Sequence, residues 1–427
     1  MVNERDLRAK ADSGDAGAQY QMAALLGSRG DASDSDAYLG RAAAAGHPGA
    51  LFTTANRAFG LPPEDFDPRT TFEQMEIAVA AGSMRALRRR AAMKSMGLGV
   101  SHDADGASAD LTLAAEKGDP IAMRECAAFC LRAHQEAAGV ALMRQAGLGG
   151  DWVAAVIGLR RGGIFSEEET NVLLQQLRPK LGPLLLSDFL GAPAASPIRT
   201  APNWQEVAQL IKAAPGAYSS VPLHAAAPQV VRFEGVLSAI ECDYLIVTNS
   251  PFMKPSAVVD SAISAARQES YRTSDGTVII LGEVDCFLAS INDRLAGLSG
   301  LPREHAELMG VLRYRPGQEY APHHDYLPAD ENDYSEVKRS GQRVKTLLVP
   351  LNEHFDGGAT LFPALGLEFK GRAGDAVLFE NTDSQEVPIE ESLHAGAPVT
   401  SGEKWMLTLW YRAKPFWFWD PETGQKI

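Results

Sequence analysis

The chain has 427 residues, 45% hydrophobic and 22% charged, the balance of a soluble globular protein too long for one core, so two or three domains are expected. With 54 acidic against 40 basic residues the net charge is −14, which argues against broad electrostatic binding to nucleic acid or an anionic membrane. Four cysteines make no disulfide framework at this length, no apolar run is long enough to span a bilayer, and MVNERDLRAK (1–10) lacks the apolar stretch of a signal peptide; a reducing cytoplasm is expected.

The first 165 residues are alanine-rich and carry an internal period. In SGDAGA (13–18), AGHPGA (45–50), AGSMRA (81–86), KGDPIA (117–122) and GGDWVA (149–154) a glycine is followed four residues later by an alanine. The glycines Gly14, Gly46, Gly82, Gly118 and Gly150 are spaced 32, 36, 36 and 32 apart, the period of a solenoid of helix pairs. Each glycine is expected to end a helix in a left-handed conformation, and each small alanine to let the next helix pack closely. One pair cannot bury its apolar face alone, so neighbours stack. AKADSGDAGAQYQMAALLGSRG and AAAAGHPGA resemble the opening and close of a Sel1-like, tetratricopeptide-related repeat, which implies protein or peptide binding on a concave face.

Within this half, Cys126 and Cys130 in AMRECAAFC read as small buried side chains, since two cysteines alone make a poor zinc site. RALRRRAAMK (85–94) is the one basic cluster; it reads as a solvated solenoid face, with an anion or acidic-partner site as the alternative. Residues 168–187 continue the helical pattern. GAPAASPIRTAPNW (191–204) breaks it as a linker, and WQEVAQLIKAAP after it reads as one connecting helix. The expected division is a helical repeat domain at 1–190, a linker and connecting helix at 191–228, and a second domain at 229–427.

From residue 229 the period changes. VVRFEGVL, TVIIL, MGVLRYR, KTLLVPLN, DAVLFEN and KWMLTLWYR are short, rich in β-branched and aromatic residues, and separated by turn signals such as RPGQ, DGGA, RAGD and TSGE. They predict a sandwich or barrel. SAIECDYLIVTNS and CFLASINDRLAGLSG read as helices packed outside the sheet.

YRPGQEYAPHHDYLP (314–328) places two histidines before an aspartate. If this stretch is extended, His323 and Asp325 share a face and His324 points away. After Asp325 only His354 and His394 remain as imidazole donors. His354 lies in NEHFDGGA, a turn between strands. His394 lies in ESLHAGAPVTSGEKW, where a hairpin turning near residue 399 would set it opposite Lys404. Two imidazoles and one carboxylate on one face form the facial triad of non-haem Fe(II) oxygenases, with three positions open. A 2-oxo acid takes two of them and O2 the last; Lys404 is placed to meet the far carboxylate.

SAIECDYLI, YRTSDG, ELMGVLRYRPGQEYAPHHDYLP, GQRVKTLLVPLNEHFDGGATLFP, KGRAGDAVLFEN and SLHAGAPVTSGEKWMLTLWYR, in that order, resemble the prolyl 4-hydroxylase family of Fe(II)/2-oxoglutarate dioxygenases over about residues 229–415. With the repeats, the resemblance implies a multidomain α + β protein: an N-terminal α-solenoid of helix pairs, then a double-stranded β-helix (jelly-roll) oxygenase domain with flanking helices. It implies Fe(II), 2-oxoglutarate and O2, with ascorbate as a candidate reductant. His323, Asp325 and His394 would hold iron and Lys404 would pair with 2-oxoglutarate. Tyr314 would help hold that cosubstrate, and Thr346 and Thr408 would face the same pocket. Glu307, Arg343 and Trp410 match positions lining the substrate side, and Arg272 and Ser274 fall in a mobile loop beside it.

The implied reaction couples decarboxylation of 2-oxoglutarate to succinate with hydroxylation of a C–H bond. The leading reading is a hydroxylase of prolyl residues in a protein or peptide recruited by the repeats. One alternative is a free amino acid or small metabolite as substrate, with the repeats as scaffold. Another is a catalytically silent binding or sensing protein, against which His323, Asp325, His394 and Lys404 argue together. No nucleic-acid or membrane partner is expected. The tail PFWFWD (415–420) is expected to cover apolar barrel surface, and the acidic stretch PADENDYSEVKRSG (328–341) to lie at the mouth of the site, solvated or selecting substrate.

Overall fold

The computed structural model describes residues 3–178, 202–213, 218–256, 258–260, 265–267, 273–327 and 335–426. Its N-terminal half is a stack of helix pairs: α1 (Glu4–Asp12) with α2 (Ala16–Ser28), α3 (Ala32–Ala44) with α4 (Pro48–Asn56), α5 (Pro68–Ala80) with α6 (Met84–Met96), α7 (Ala104–Glu116) with α8 (Pro120–Arg132), and α9 (Glu136–Leu148) with α10 (Trp152–Arg161). Helices α11 (Glu167–Leu177) and α12 (Trp204–Lys212) follow, the latter the expected connecting helix.

The repeat signal has a double meaning. The first helix of every pair ends two residues before one of the repeat glycines, and those glycines have φ of +99°, +78°, +93°, +94° and +101°. The residue after each glycine then starts the next helix. Side chains of Asp15, His47, Ser83, Asp119 and Asp151 accept the backbone N–H of Ala18, Ala50, Ala86, Ala122 and Ala154. These are the alanines of the repeat, and all are buried. A five-residue segment thus stops one helix, turns the chain and caps the next, each cap contributing about 1 kcal/mol.

The C-terminal half opens with β1 (Ser220–His224), β2 (Val230–Phe233) and α13 (Ala239–Asn249), then β3 (Lys254–Pro255), β4 (Val258–Asp260), β5 (Ala265–Arg267), β6 (Asp275–Val278) and α14 (Cys286–Leu298). It continues with β7 (Gly310–Tyr314), β8 (Tyr320–His323), β9 (Arg343–Pro350), β10 (Phe355–Gly357), β11 (Thr360–Phe362), β12 (Leu367–Phe369), β13 (Ala376–Glu380), β14 (His394–Gly396), β15 (Val399–Gly402) and β16 (Lys404–Arg412). An eight-stranded sheet runs β1-β2-β13-β9-β16-β7-β6-β3, and a four-stranded sheet runs β12-β11-β14-β8. They face each other as a jelly roll. The six strand segments read from the sequence all fall in the larger sheet.

Helices α13 and α14 cover its outer face and bury Tyr244, Leu245, Phe287 and Ile291 in the same apolar cluster as Val311, Leu347 and Leu407. That cluster continues into the solenoid through Phe129, Met93 and Phe52, so the two halves share a core. The aromatic tail belongs to this junction. Trp417 and Trp419 stack at 4.6 Å. Their indole N–H groups donate to the Ala306 carbonyl at 3.0 Å and, across the junction, to that of Met96 at 3.5 Å. The tail therefore covers barrel surface as expected, with the solenoid on its other side.

Buried ion pairs cross the same junction. Arg124 of α8, paired with Asp151 of its own half at 2.7 Å, meets Asp285 at 3.4 Å, and Arg160 of α10 meets Asp243 at 2.9 Å. The basic run 85–94 departs from the expectation of a solvated face. Arg89 donates to the carbonyls of Gly282 and Val284, Arg90 grips Asp110 at 2.7 and 2.8 Å, and Arg88 lies 3.5 Å from Asp119; Arg85 alone of the four is exposed. Helix stacking turns this run inward, against a neighbouring helix and the oxygenase half. Cys126, Cys130, Cys242 and Cys286 are free and buried. No helix among the described residues is long and apolar enough to cross a membrane.

Candidate active site

Strand pairing brings the two histidines together. β8 and β14 are antiparallel neighbours, and His323 and His394 are direct partners in their register, with ring centroids 4.3 Å apart. Backbone carbonyls orient both rings: Nδ1 of His323 lies 2.9 Å from the Ala321 oxygen and Nδ1 of His394 lies 3.0 Å from that of Ser392. Each Nδ1 thus carries a proton, which leaves the inward-facing Nε2 as the atom that would bind a metal once its own proton is displaced. There the Nε2 atoms lie 3.6 Å and 3.4 Å from the oxygens of Asp325.

Asp325 sits just beyond the end of β8, and long-range contacts hold it. The Thr346 hydroxyl donates to its Oδ2 at 2.8 Å, and Asn381 Nδ2 donates to Thr346 at 2.8 Å. Burial pushes the Asp325 carboxyl up, but His394, His323, Arg343 and the Thr346 hydrogen bond outweigh it and hold its pKa at about 2. The donor atoms of His323, Asp325 and His394 all lie within 4.8 Å of one another. Two imidazole nitrogens and an ionised carboxylate on one side of a cavity suit a divalent first-row metal such as Fe(II). His324 points outward to the Glu390 carbonyl at 3.0 Å, as the alternation predicts, and His354 is not among the clustered donors.

Lys404 faces the donors from the opposite sheet. It is the register partner of Tyr314, its Nζ lies 5.2 Å from the Tyr314 ring centroid, and it donates to the Gly358 carbonyl at 2.6 Å. Burial, with a smaller contribution from Lys370, lowers its pKa to about 8, and among the described residues no carboxylate offsets this. A buried cation without an acid partner is expensive to hold. It marks a place for an anionic ligand. One cavity connects it to the metal donors, lined between them by Leu312, Met406, Thr408 and Trp410.

The expected hairpin joining His394 to Lys404 does not form. β14 pairs with β8 and β11, β15 pairs with β10, and β16 pairs with β7 and β9. At Gly402, φ is +72° and a Cβ would lie 2.3 Å from the His354 carbonyl; this tight turn passes the chain from one sheet to the other. His394 and Lys404 therefore meet across the cavity between sheets.

The remaining expected residues divide. Tyr314, Thr408 and Trp410 line the cavity, whereas Thr346 acts through Asp325. Arg343 grips Glu307 at 2.7 and 2.9 Å and lies 3.9 Å from the Trp410 ring centroid, so these three form one cluster beside the cavity. Ser274 is buried, with its hydroxyl 3.0 Å from that of Ser256, and is not among the described residues that line this cavity. Arg272 and residues 328–334 of the acidic stretch lie outside the described residues. Asn381 escaped the sequence reading, and its signal was a lone amide closing the apolar strand DAVLFEN. Tyr320, whose ring stacks on His323 at 3.5 Å, was also missed; three residues before His323, it counts to the opposite face at period two, and β8 pairs with β14 through a register shift that no alternation rule gives.

A family profile described as the 2OG-Fe(II) oxygenase superfamily matches residues 309–412. Probable prolyl 4-hydroxylase 3 of Arabidopsis thaliana is 36% identical over 202 residues, covering 43% of this chain and 69% of that protein. This chain belongs to the prolyl 4-hydroxylase family. It is a 2-oxoglutarate-dependent dioxygenase, and the family chemistry uses Fe(II), 2-oxoglutarate and O2. Among solved structures it is similar to a viral collagen prolyl hydroxylase from Paramecium Bursaria Chlorella virus-1 in its 2OG complex, with 31% identity, a TM-score of 0.33, and coverage of 43% of this chain and 96% of that one. It is also similar to a Sel1 repeat protein from Oxalobacter formigenes, with 19% identity, a TM-score of 0.33, and coverage of 42% and 77%.

Proposed function

We propose that this oxygenase hydroxylates prolyl residues of a polypeptide, with Fe(II) held by His323, Asp325 and His394 and 2-oxoglutarate anchored on Lys404. The observation that carries the proposal is the pairing, across one cavity, of three clustered candidate metal donors with a buried lysine that has no acid partner among the described residues. Iron, when bound, supplies the O2-dependent decarboxylation of 2-oxoglutarate and the oxidation of the C–H bond. The chain supplies position. The carbonyls of Ala321 and Ser392 hold the Nδ1 protons, which keeps both Nε2 atoms as donors. Thr346 and Asn381 orient Asp325. The Lys404 ammonium meets the distal carboxylate beside Tyr314, Leu312 and Met406 exclude water, and Trp410 with Arg343 faces the substrate.

The prolyl assignment draws on the curated relatives, among them Prolyl 4-hydroxylase 1 of Arabidopsis thaliana. We place the repeat domain at 1–190, the linker with its helix at 191–228 and the oxygenase at 229–427, and assign the repeats to polypeptide recruitment. Four buried free cysteines suit a reducing cytoplasm. Ascorbate is the reductant we assign for keeping the iron ferrous.

The test is succinate formation by anaerobically purified, Fe(II)-loaded protein given 2-oxoglutarate and O2, with and without proline-containing peptides. Stimulation by a peptide that gains one oxygen atom, lost in His394→Ala, is the expected result. Slow turnover that no peptide stimulates would remove the polypeptide substrate and leave a small metabolite. Absence of turnover with iron bound would remove the enzymatic reading.

A further inference from the structure

We propose that the groove between α6 of the solenoid and the outer edge of β6 docks an extended acidic polypeptide, which adds to the larger sheet as a further strand. The inference deepens the polypeptide reading above and rests on it for its purpose, while the docking itself is measurable without turnover.

The first observation is an open edge. β3 ends the larger sheet and is two residues long, pairing Lys254 with Gly276 and Pro255 with Asp275. Past Gly276, β6 has β7 on one side and no strand on the other among the described residues. The Ile279 N–H is directed at the Met309 carbonyl on the β7 side, so by the alternation of an antiparallel ladder the N–H and C=O of Val278 point outward. Phe252, Val278 and Ile280 lie beside this edge with about half their surface exposed, at 48%, 50% and 50%. Such an apolar open edge is a template for another strand, and proteins ordinarily blunt it unless a partner uses it.

The second observation is charge. Facing the edge are Arg85, Arg88 and Arg89 of α6, with Trp152 of α10 and with Lys254 at the end of β3. Arg88 is balanced by Asp119, and Arg124 deeper in the groove by Asp151 and Asp285. Arg85 and Lys254 have no acid within ion-pair distance among the described residues, and Arg85 lies over the Phe52 ring at 4.4 Å; Arg89 adds positive charge while its guanidinium holds the Gly282 and Val284 carbonyls. Among the described residues, Glu283 is the one acid lining the groove outside those pairs. An excess of cations here, in a chain of net charge −14, complements acidic side chains. The free main-chain groups of β6 select a polypeptide over a nucleic acid, whose sugar–phosphate chain cannot continue a β-ladder.

The third observation is distance. Val278 pairs with Gly310, and Gly310 with Thr408, which lines the catalytic cavity. The open edge is thus two strands, roughly 10 Å, from that cavity. A strand docked on this edge lies one spacing further out, roughly 15 Å from the cavity, which a flanking segment of about five extended residues would span toward the Trp410 side of the site.

The experiment is fluorescence anisotropy with the full chain and three labelled probes: an eight-residue peptide of alternating Glu and Val, its Lys–Val counterpart, and a dodecamer of thymidylate. The Glu–Val peptide is expected to bind, to weaken with added salt, and to bind at least about tenfold more tightly than the other two. Arg85→Glu combined with Lys254→Glu should weaken it about tenfold. Val278→Pro, which removes one outward N–H, should weaken it while Val278→Thr does not; circular dichroism verifies the fold of each variant. Equal binding of the acidic and basic peptides, indifference to all these substitutions, or preference for thymidylate would each overturn the proposal. Binding intact in a protein without 2-oxoglutarate turnover would keep the groove and discard the hydroxylase reading. Peptide-stimulated turnover with no groove effect would do the reverse.

Discussion

At the scale of single residues, Lys404 and Thr346 make separable predictions. A charge-assisted hydrogen bond to a carboxylate contributes about 1.5–3 kcal/mol, so Lys404→Ala should raise the KM for 2-oxoglutarate roughly ten- to hundredfold with iron binding intact. Because burial lowers the Lys404 pKa to about 8, the free site loses its ammonium as pH rises through that value. The wild-type KM should therefore climb above pH 8, and the Lys404→Ala KM should not. Thr346→Val keeps the shape of the side chain and deletes the hydrogen bond to Asp325. Loss of such a supporting contact lowers metal affinity roughly 10- to 100-fold, which calorimetric titration with Co(II) measures. His323, Asp325, His394 and Lys404 were legible because local motifs carry them. Asn381 was not, because its value lies in a contact with Thr346, thirty-five residues away.

At the scale of elements, the repeat turns predict effects of opposite sign for one substitution. Gly118 has φ +94° with open space around its Cα, and Gly40 lies inside helix α3, exposed, also with open space. Gly118→Ala should destabilise by about 1–2 kcal/mol through backbone strain, and Gly40→Ala should stabilise by up to about 1 kcal/mol through helix propensity. Urea unfolding followed by circular dichroism reads both. The helical half was legible because its short turn motif recurs five times. The larger sheet was legible because its strands are apolar runs. Three of the four strands of the smaller sheet were not: β11, β12 and β14 are three residues long, too short for a period-two pattern, and only His-x-Asp marked β8.

At the scale of the whole molecule, the junction between solenoid and oxygenase makes stability depend on pH. Glu125 of α8 is buried and accepts the N–H of Cys286 at 2.9 Å. Burial, with Asp285 nearby, raises its pKa from 4.5 to about 8. The folded state therefore holds a proton that the unfolded chain releases above pH 4.5. Stability from this group is fully present below that value and declines as pH rises toward 8. Glu125→Gln should flatten this slope in thermal unfolding measured from pH 5 to 8. Arg124→Ala should be far more damaging, by about 3–5 kcal/mol, because it strands Asp151 and Asp285 as buried charges. Its signature would be loss of both halves in one transition, since they share a core.

The sequence by itself determined the helix repeat, six strands of the larger sheet, the candidate metal donors and the candidate cosubstrate lysine. Each strand, turn and ligand motif is a short local pattern, and the helix repeat shows as a short turn motif that recurs every 32 to 36 residues. Tertiary structure alone decided that His394 and Lys404 meet between two sheets, that Thr346 and Asn381 hold Asp325, that the basic helix turns inward, and that the β6 edge stays open beneath it. Those outcomes depend on which surfaces remain once strands have paired and helices have stacked, and burial and desolvation over the whole chain select among them.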